Sequence, residues 1–135
     1  MTLMEIFFKA LIIWVGILVL AILNGFLRES VLIPTFGIPA ALVLSGLGLS
    51  ALIIVVAYLS LPWLQTTSNI ELFLVGLSWL ALTIFFEFSF GLLQGKSWFE
   101  LLEAYTFKDG NLWPVVLTVT TFSPYIAAKL RGWLL

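Results

Sequence analysis

The sequence predicts an all-α fold: a membrane four-helix bundle with a short interfacial amphipathic helix between spans three and four. Three observations predict it. Of 135 residues, 62% are hydrophobic and only 10% are charged, whereas a soluble domain is nearer half apolar and a quarter charged. One soluble core of this size is too small to hide so much apolar surface, so lipid must cover the outside. The apolar residues also fall into four runs of about 20, the length that crosses a bilayer as a helix. The runs end in tryptophan, proline and charged residues, which mark membrane interfaces. The whole chain, 1–135, reads as a single transmembrane domain.

The first span runs from about Phe7 to Leu27. Glu5 and Lys9 stand four residues apart at its start, and Lys9 can snorkel to the interface. The run is too long for a secretory signal, lacks a basic leader, and is followed by a poor cleavage site, so it reads as a retained helix. The second span covers about 38–64. No charge falls between Glu29 and Glu71. Pro39 suits its first turn and Pro62-Trp63 marks its exit. Gln65 to Asn69 is a short polar turn, which makes spans two and three antiparallel neighbours.

The third span covers about 72–91 and the fourth about 112–128. Trp113-Pro114 opens the fourth, Pro124 is expected to bend it, and Lys129 and Arg131 follow it. Between them, Ser97-Trp98-Phe99-Glu100 fits a capping box, so a helix is expected over about 97–105. Trp98, Leu101, Leu102 and Tyr105 share one face, with Glu100 and Glu103 elsewhere, the pattern of a helix lying on a membrane. Asp109-Gly110 then turns the chain into span four, and Gly37 and Gly95 also read as turn residues.

Composition excludes several function classes. With no cysteine and no histidine, thiol chemistry, the commonest general base and the commonest zinc and haem ligands are absent. No metal site, catalytic residue or cofactor is assigned. The net charge of −1 provides no basic face for nucleic acid. No phosphate-binding loop, zincin helix or nucleophile elbow occurs. Four spans put both termini on one side with Lys9, Lys129 and Arg131. Arg28, Lys96 and Lys108 lie on the other. This even split gives the positive-inside rule little leverage. The tight placement of Lys129 and Arg131 beside a span favours cytoplasmic termini.

The informative polar residues are Asn24, Arg28, Glu29 and Glu87. Span one reaches Asn24 and Arg28 at its far end, and the antiparallel span three reaches Glu87 at the same end. Asn24 and Arg28, four apart, share a helix face; Arg28 and Glu29, as neighbours, do not. An acid inside a span is costly and is normally turned inward and paired. Arg28 is the expected partner of Glu87. The plain reading is an ion pair that locks span one to span three. The functional reading is a cation or proton site at Glu87, or an anion site at Arg28. Phe85, Phe86, Phe88 and Phe90 surround Glu87 in sequence.

Small residues add packing information. Gly76, Leu80, Thr83, Glu87 and Gly91 recur at helical spacing on span three, as do Ala41, Ser45 and Gly48 on span two, and small residues let membrane helices approach closely. Thr118, Thr121 and Tyr125 make a polar stripe on span four, read as interhelical hydrogen bonding.

With Asn24-Gly25-Phe26-Leu27-Arg28-Glu29, Phe86-Glu87-Phe88-Ser89-Phe90-Gly91, Gly95-Lys96-Ser97-Trp98 and Gly110-Asn111-Leu112-Trp113-Pro114, the chain resembles a family of small, uncharacterised bacterial four-span integral membrane proteins. The likeness covers most of the chain. It implies a bacterial inner (cytoplasmic) membrane and a four-helix bundle, and it brings no activity with it.

Three functional readings follow. The first, which we prefer, is a non-enzymatic accessory or scaffold subunit that packs against a larger membrane complex, a lipid or a pigment. Its partners would be membrane lipid, other membrane subunits or a second copy of itself. The second is a homo-oligomeric small transporter or channel using Glu87 and Arg28. The third is a lipid- or quinone-directed membrane enzyme using Glu100, Glu103 or Glu87.

Overall fold

The computed structural model describes residues 2–65, 68–103, 105–106 and 111–133. Those residues are all-helical, with no strand among them. In chain order they form α1 (Leu3–Leu27), a π turn (Arg28–Leu32), α2 (Ile33–Phe36), α3 (Ile38–Leu64), α4 (Asn69–Leu93), α5 (Trp98–Glu103) and α6 (Trp113–Leu130). Three continuous helical stretches, Leu3–Phe36, Ile38–Leu64 and Asn69–Leu93, are long and apolar enough to cross a membrane.

Helix α1 starts on Thr2, whose hydroxyl accepts the Glu5 N–H at 3.2 Å. The expected end at Leu27 is not a chain reversal. The helix widens into the π turn, with the Ile33 N–H reaching the Arg28 carbonyl, and continues to Phe36. Pro34 explains the widening: it has no N–H, and its ring would press on the Ser30 carbonyl in a regular α-helix. The stop comes at Gly37, whose φ of 85° is open to glycine. From Leu3 to Phe36 the 34 residues extend about 51 Å at 1.5 Å each. That exceeds the hydrocarbon thickness of roughly 30 Å.

Two prolines inside helices free backbone carbonyls, and each carbonyl has a new partner. Pro62 lies within α3, which runs two residues past it. The Tyr58 carbonyl four residues earlier accepts Arg131 Nε at 2.6 Å. Pro124 lies within α6, and the Thr120 carbonyl accepts the Ser123 hydroxyl at 2.9 Å. At the end of α3 the Trp63 carbonyl accepts Lys9 Nζ at 3.0 Å. Two cations thus meet the negative end of the α3 dipole. These contacts gather the start of α1, the end of α3 and the end of α6 at one end of the molecule.

The core is centred on Trp79, Leu61, Leu64, Leu72 and Val75, all fully buried. Two indoles cross-tie α1 to α4. Trp79 Nε1 donates to the Ala10 carbonyl at 2.9 Å, and Trp14 Nε1 donates to the Thr83 hydroxyl at 3.0 Å. Helix α6 packs against α3 and α4. Gly76 permits the closest approach, because a Cβ there would lie 1.7 Å from the Thr121 carbonyl oxygen.

Several local expectations are corrected. Gly48 is exposed with open space around it. Gly46 instead makes the close contact on α3, where an added Cβ would meet Leu112 Cβ at 2.6 Å. The hydroxyls of Thr118 and Thr121 bond their own helix, at the Pro114 and Leu117 carbonyls, both at 2.9 Å. They make no interhelical bond, because the carbonyl four residues back is nearer than another helix. Tyr125 stacks on Phe73 with ring centroids 5.2 Å apart. Ser97 does cap α5, accepting the Glu100 N–H at 3.2 Å. Of the expected face, Leu101 is buried against Gly91, whereas Trp98 and Leu102 are exposed. The turn at Asp109-Gly110, Lys108 and Ala104 of the expected surface helix lie outside the described residues.

Candidate functional site: an inter-helix cavity with a polar mouth

A cavity of about 480 Å³ lies between α1, α3, α4 and the start of α6. Ligand pockets are typically about 300–1,000 Å³. Its polar wall carries Asn24, Arg28, Ser45, Thr83, Glu87 and Asn111. Its apolar depth is Ile17, Leu18, Leu49, Ile53 and Val116, and its aromatic walls are Trp14, Phe86, Phe90 and Trp113. Three of the four polar residues singled out in the sequence, Asn24, Arg28 and Glu87, therefore look onto one space. Glu29 does not line it.

The helices place these groups for identifiable reasons. Asn24 and Arg28 stand one α-helical turn apart on α1. Asn24 is held by α3: its Nδ2 donates to the Ser45 carbonyl at 3.2 Å, and its Oδ1 accepts the Ser45 hydroxyl in a short bond. Both side chains are largely satisfied by each other, as membrane interiors demand. The Thr83 hydroxyl accepts the Trp14 indole N–H and donates to the Trp79 carbonyl at 2.7 Å. Asn111 accepts the Trp113 N–H at 3.1 Å and donates to the Thr106 carbonyl at 3.1 Å. It thereby fixes the entry into α6.

Arg28 and Glu87 share the cavity without forming the expected ion pair. Arg28 Nε instead meets Glu29 Oε1 at 3.3 Å. The physical reason is the π turn that begins at Arg28. Its i to i+5 winding rotates successive side chains by less than an α-helix does, so sequence neighbours come closer together. Arg28 Nη2 folds back over Gly25, 3.6 Å from the point a Cβ would occupy there. Glu87 is half-buried. No described residue is in ion-pair or hydrogen-bond contact with its carboxylate.

Phe86 and Phe90 stack at 5.4 Å beside Glu87. Phe88 stacks instead on Tyr105 at 5.6 Å and packs on Trp98 at 5.5 Å, joining α4 to the α5 segment. Phe85 faces outward, 74% exposed. Burial pushes the Tyr105 phenol above its usual range. The nearby Glu87 carboxylate adds to the rise, and the Trp113 indole N–H opposes it. That indole nitrogen is itself buried beside the phenol, but is not aligned for a full hydrogen bond.

Sequence reasoning missed Ser45, Thr83 and Asn111 as wall residues. Ser45 and Thr83 had read as packing positions on small-residue stripes. The available signal was a hydrogen-bonding group within an apolar run, which needs a partner. Among the described residues no three His, Cys, Asp or Glu side chains gather where a metal ion could be held. Comparison with family models, with curated proteins and with solved structures finds no match to this chain.

Proposed function

We propose that this chain is a non-enzymatic, four-span integral membrane protein that holds an amphipathic ligand, a lipid or a pigment, between its helices. It would serve as an accessory or scaffold subunit of a larger membrane assembly. The observation that carries the reading is the cavity, whose wall combines polar Asn24, Arg28 and Glu87 with buried aliphatic Ile17, Leu49, Ile53 and Val116. That combination matches a molecule with one polar and one apolar end.

Helix α6 supplies the fourth span in this reading. Its 18 residues extend about 27 Å, close to the hydrocarbon thickness. Its threonine and serine hydroxyls bond carbonyls of the same helix, as a bilayer favours. The outer surface is rich in exposed large side chains such as Val15, Val19, Leu47, Val55 and Leu59, which suits lipid or a partner's helices. Exposed Trp98, Phe99 and Leu102 suit an α5 lying at the interface. The cationic end, with Lys9, Lys129 and Arg131, is assigned to the cytoplasm of a bacterial inner membrane.

The test is chemical analysis of the protein as purified. Extraction from native membranes in a mild detergent, followed by organic extraction, is expected to yield about one amphiphile per chain, the occupant of this cavity. Ala21 also lines the cavity from α1, and Ala21→Phe, which fills it, is expected to lower that yield sharply. Protein that carries no amphiphile, or equal yields from both chains, contradicts the reading.

A second reading is favoured by one observation, the Glu87 carboxylate lining the cavity without a hydrogen-bond or ion-pair partner among the described residues. A homo-oligomeric transporter would use it to bind a coupling ion, with Arg28 as counter-charge. Proteoliposome flux that disappears in Glu87→Gln, with folding intact, would select this reading.

A further inference from the structure

We propose that the cavity mouth is a headgroup site for a zwitterionic amphiphile, with an ammonium on Glu87 and a phosphate on Arg28. The inference rests on the reading that the cavity holds an amphiphile, and it specifies that molecule's polar end.

Three features of the wall carry it. First, Glu87 is an acceptor without a donor: none of the described residues is hydrogen-bonded or ion-paired to its carboxylate, and Arg28 turns to Glu29 instead. Such a group inside a span is normally paired. A ligand ammonium supplies both the opposite charge and the missing N–H donors. Second, the wall beside Glu87 is aromatic, with Trp14, Phe86, Phe90 and Trp113 lining the same space. Ring faces attract cations, so an aromatic wall beside Glu87 favours an ammonium there. Third, Arg28 commits only its Nε to Glu29. Its Nη2 lies over Gly25, a cavity residue, leaving the end of the guanidinium fork for an oxyanion.

A ligand with either charge alone fits less well. A purely anionic head would bring a second negative charge beside the unpaired Glu87. A purely cationic head would leave the Arg28 fork unused. A head carrying both charges answers both residues and adds no net charge to a low-dielectric site. The apolar depth at Leu49, Ile53 and Val116 receives the start of a chain, and the remainder runs out toward lipid.

The test uses the full chain in dodecyl maltoside and three probes. Dihexanoyl phosphatidylethanolamine carries ammonium and phosphate, dihexanoyl phosphatidylglycerol carries phosphate only, and dodecylamine carries ammonium only. Binding is read from tryptophan emission, to which Trp14 and Trp113 of the cavity contribute. The zwitterion is expected to bind roughly tenfold more tightly than either of the others, the ratio that one additional charged contact gives. Glu87→Gln is expected to erase its advantage over phosphatidylglycerol, and Arg28→Gln its advantage over dodecylamine. The wild-type ranking decides by itself should either variant fail to fold. Equal binding of all three probes, abolished by Ala21→Phe, keeps the cavity as an amphiphile site and overturns the headgroup assignment. Failure of all three to bind, or binding indifferent to Ala21→Phe, overturns the cavity reading and this inference with it.

Discussion

Arg131 Nε donates at 2.6 Å to the Tyr58 carbonyl, which Pro62 leaves without its helical donor. The guanidinium also lies 4.2 Å from the centroid of the Tyr58 ring. One side chain from the end of α6 therefore repairs a proline defect in α3 and holds the two helices in register. Arg131→Met is expected to destabilise the protein by about 1–2 kcal/mol, the size of a charged hydrogen bond that is partly open to solvent. In a Pro62→Ala background the new N–H takes the same carbonyl, so the cost of Arg131→Met should shrink. Thermal unfolding in detergent across the four-variant cycle measures this, and equal costs in both backgrounds would refute the assignment.

Gly76 and Gly48 lie in long apolar helices, yet they have opposite surroundings. A Cβ at Gly76 would meet the Thr121 carbonyl oxygen at 1.7 Å, while nothing lies within 4 Å of one at Gly48. Gly76→Ala is expected to cost about 1–3 kcal/mol by overpacking against rigid backbone. Gly48→Ala should be neutral or stabilising by up to about 1 kcal/mol, through helix propensity. Melting temperatures that fall equally in both would contradict this packing.

The contrast shows what the sequence could reveal. Apolar run lengths marked the helices Ile38–Leu64 and Asn69–Leu93 to within three residues, because a chain in lipid must satisfy its backbone within each helix. The first helix extended further than expected, since the span read as ending at Leu27, with Arg28 at its membrane exit. The π turn that carries the helix past Pro34 leaves only the proline as its trace. Within the site, Asn24, Arg28 and Glu87 stood out as strong polar groups in apolar surroundings, and all three line the cavity. Their pairing was not legible, because it depends on the winding of one turn. Gly46 and Gly48 are equally small, and only the helix rotation decides which of them meets Leu112.

Tyr105 offers a pH measurement outside the long helices. Burial first, and the Glu87 carboxylate second, raise its phenol above the ordinary value of 10.0. The folded state thus favours the protonated phenol more than the unfolded state does. The stability linked to this group is fully present below pH 10 and is lost as pH rises through the higher folded value. Absorbance at alkaline pH should show a phenol ionising late, and Tyr105→Phe should remove that component. Tyr105→Phe should also soften the alkaline fall in melting temperature. A titration curve unchanged by the substitution would argue against this environment.

Glu87 lines the inter-helix cavity beside Asn24 and Arg28, while Phe85, two residues away on α4, faces outward at 74% exposure. The natural chain contains no cysteine, so single thiols can be placed cleanly. In reconstituted bilayers, Glu87→Cys is expected to react with a small charged methanethiosulfonate reagent, because thiolate formation requires a polar surround. Phe85→Cys, facing lipid, is expected to stay unmodified, and Ala21→Phe should slow the reaction at position 87. Faster modification of Phe85→Cys than of Glu87→Cys would contradict the account.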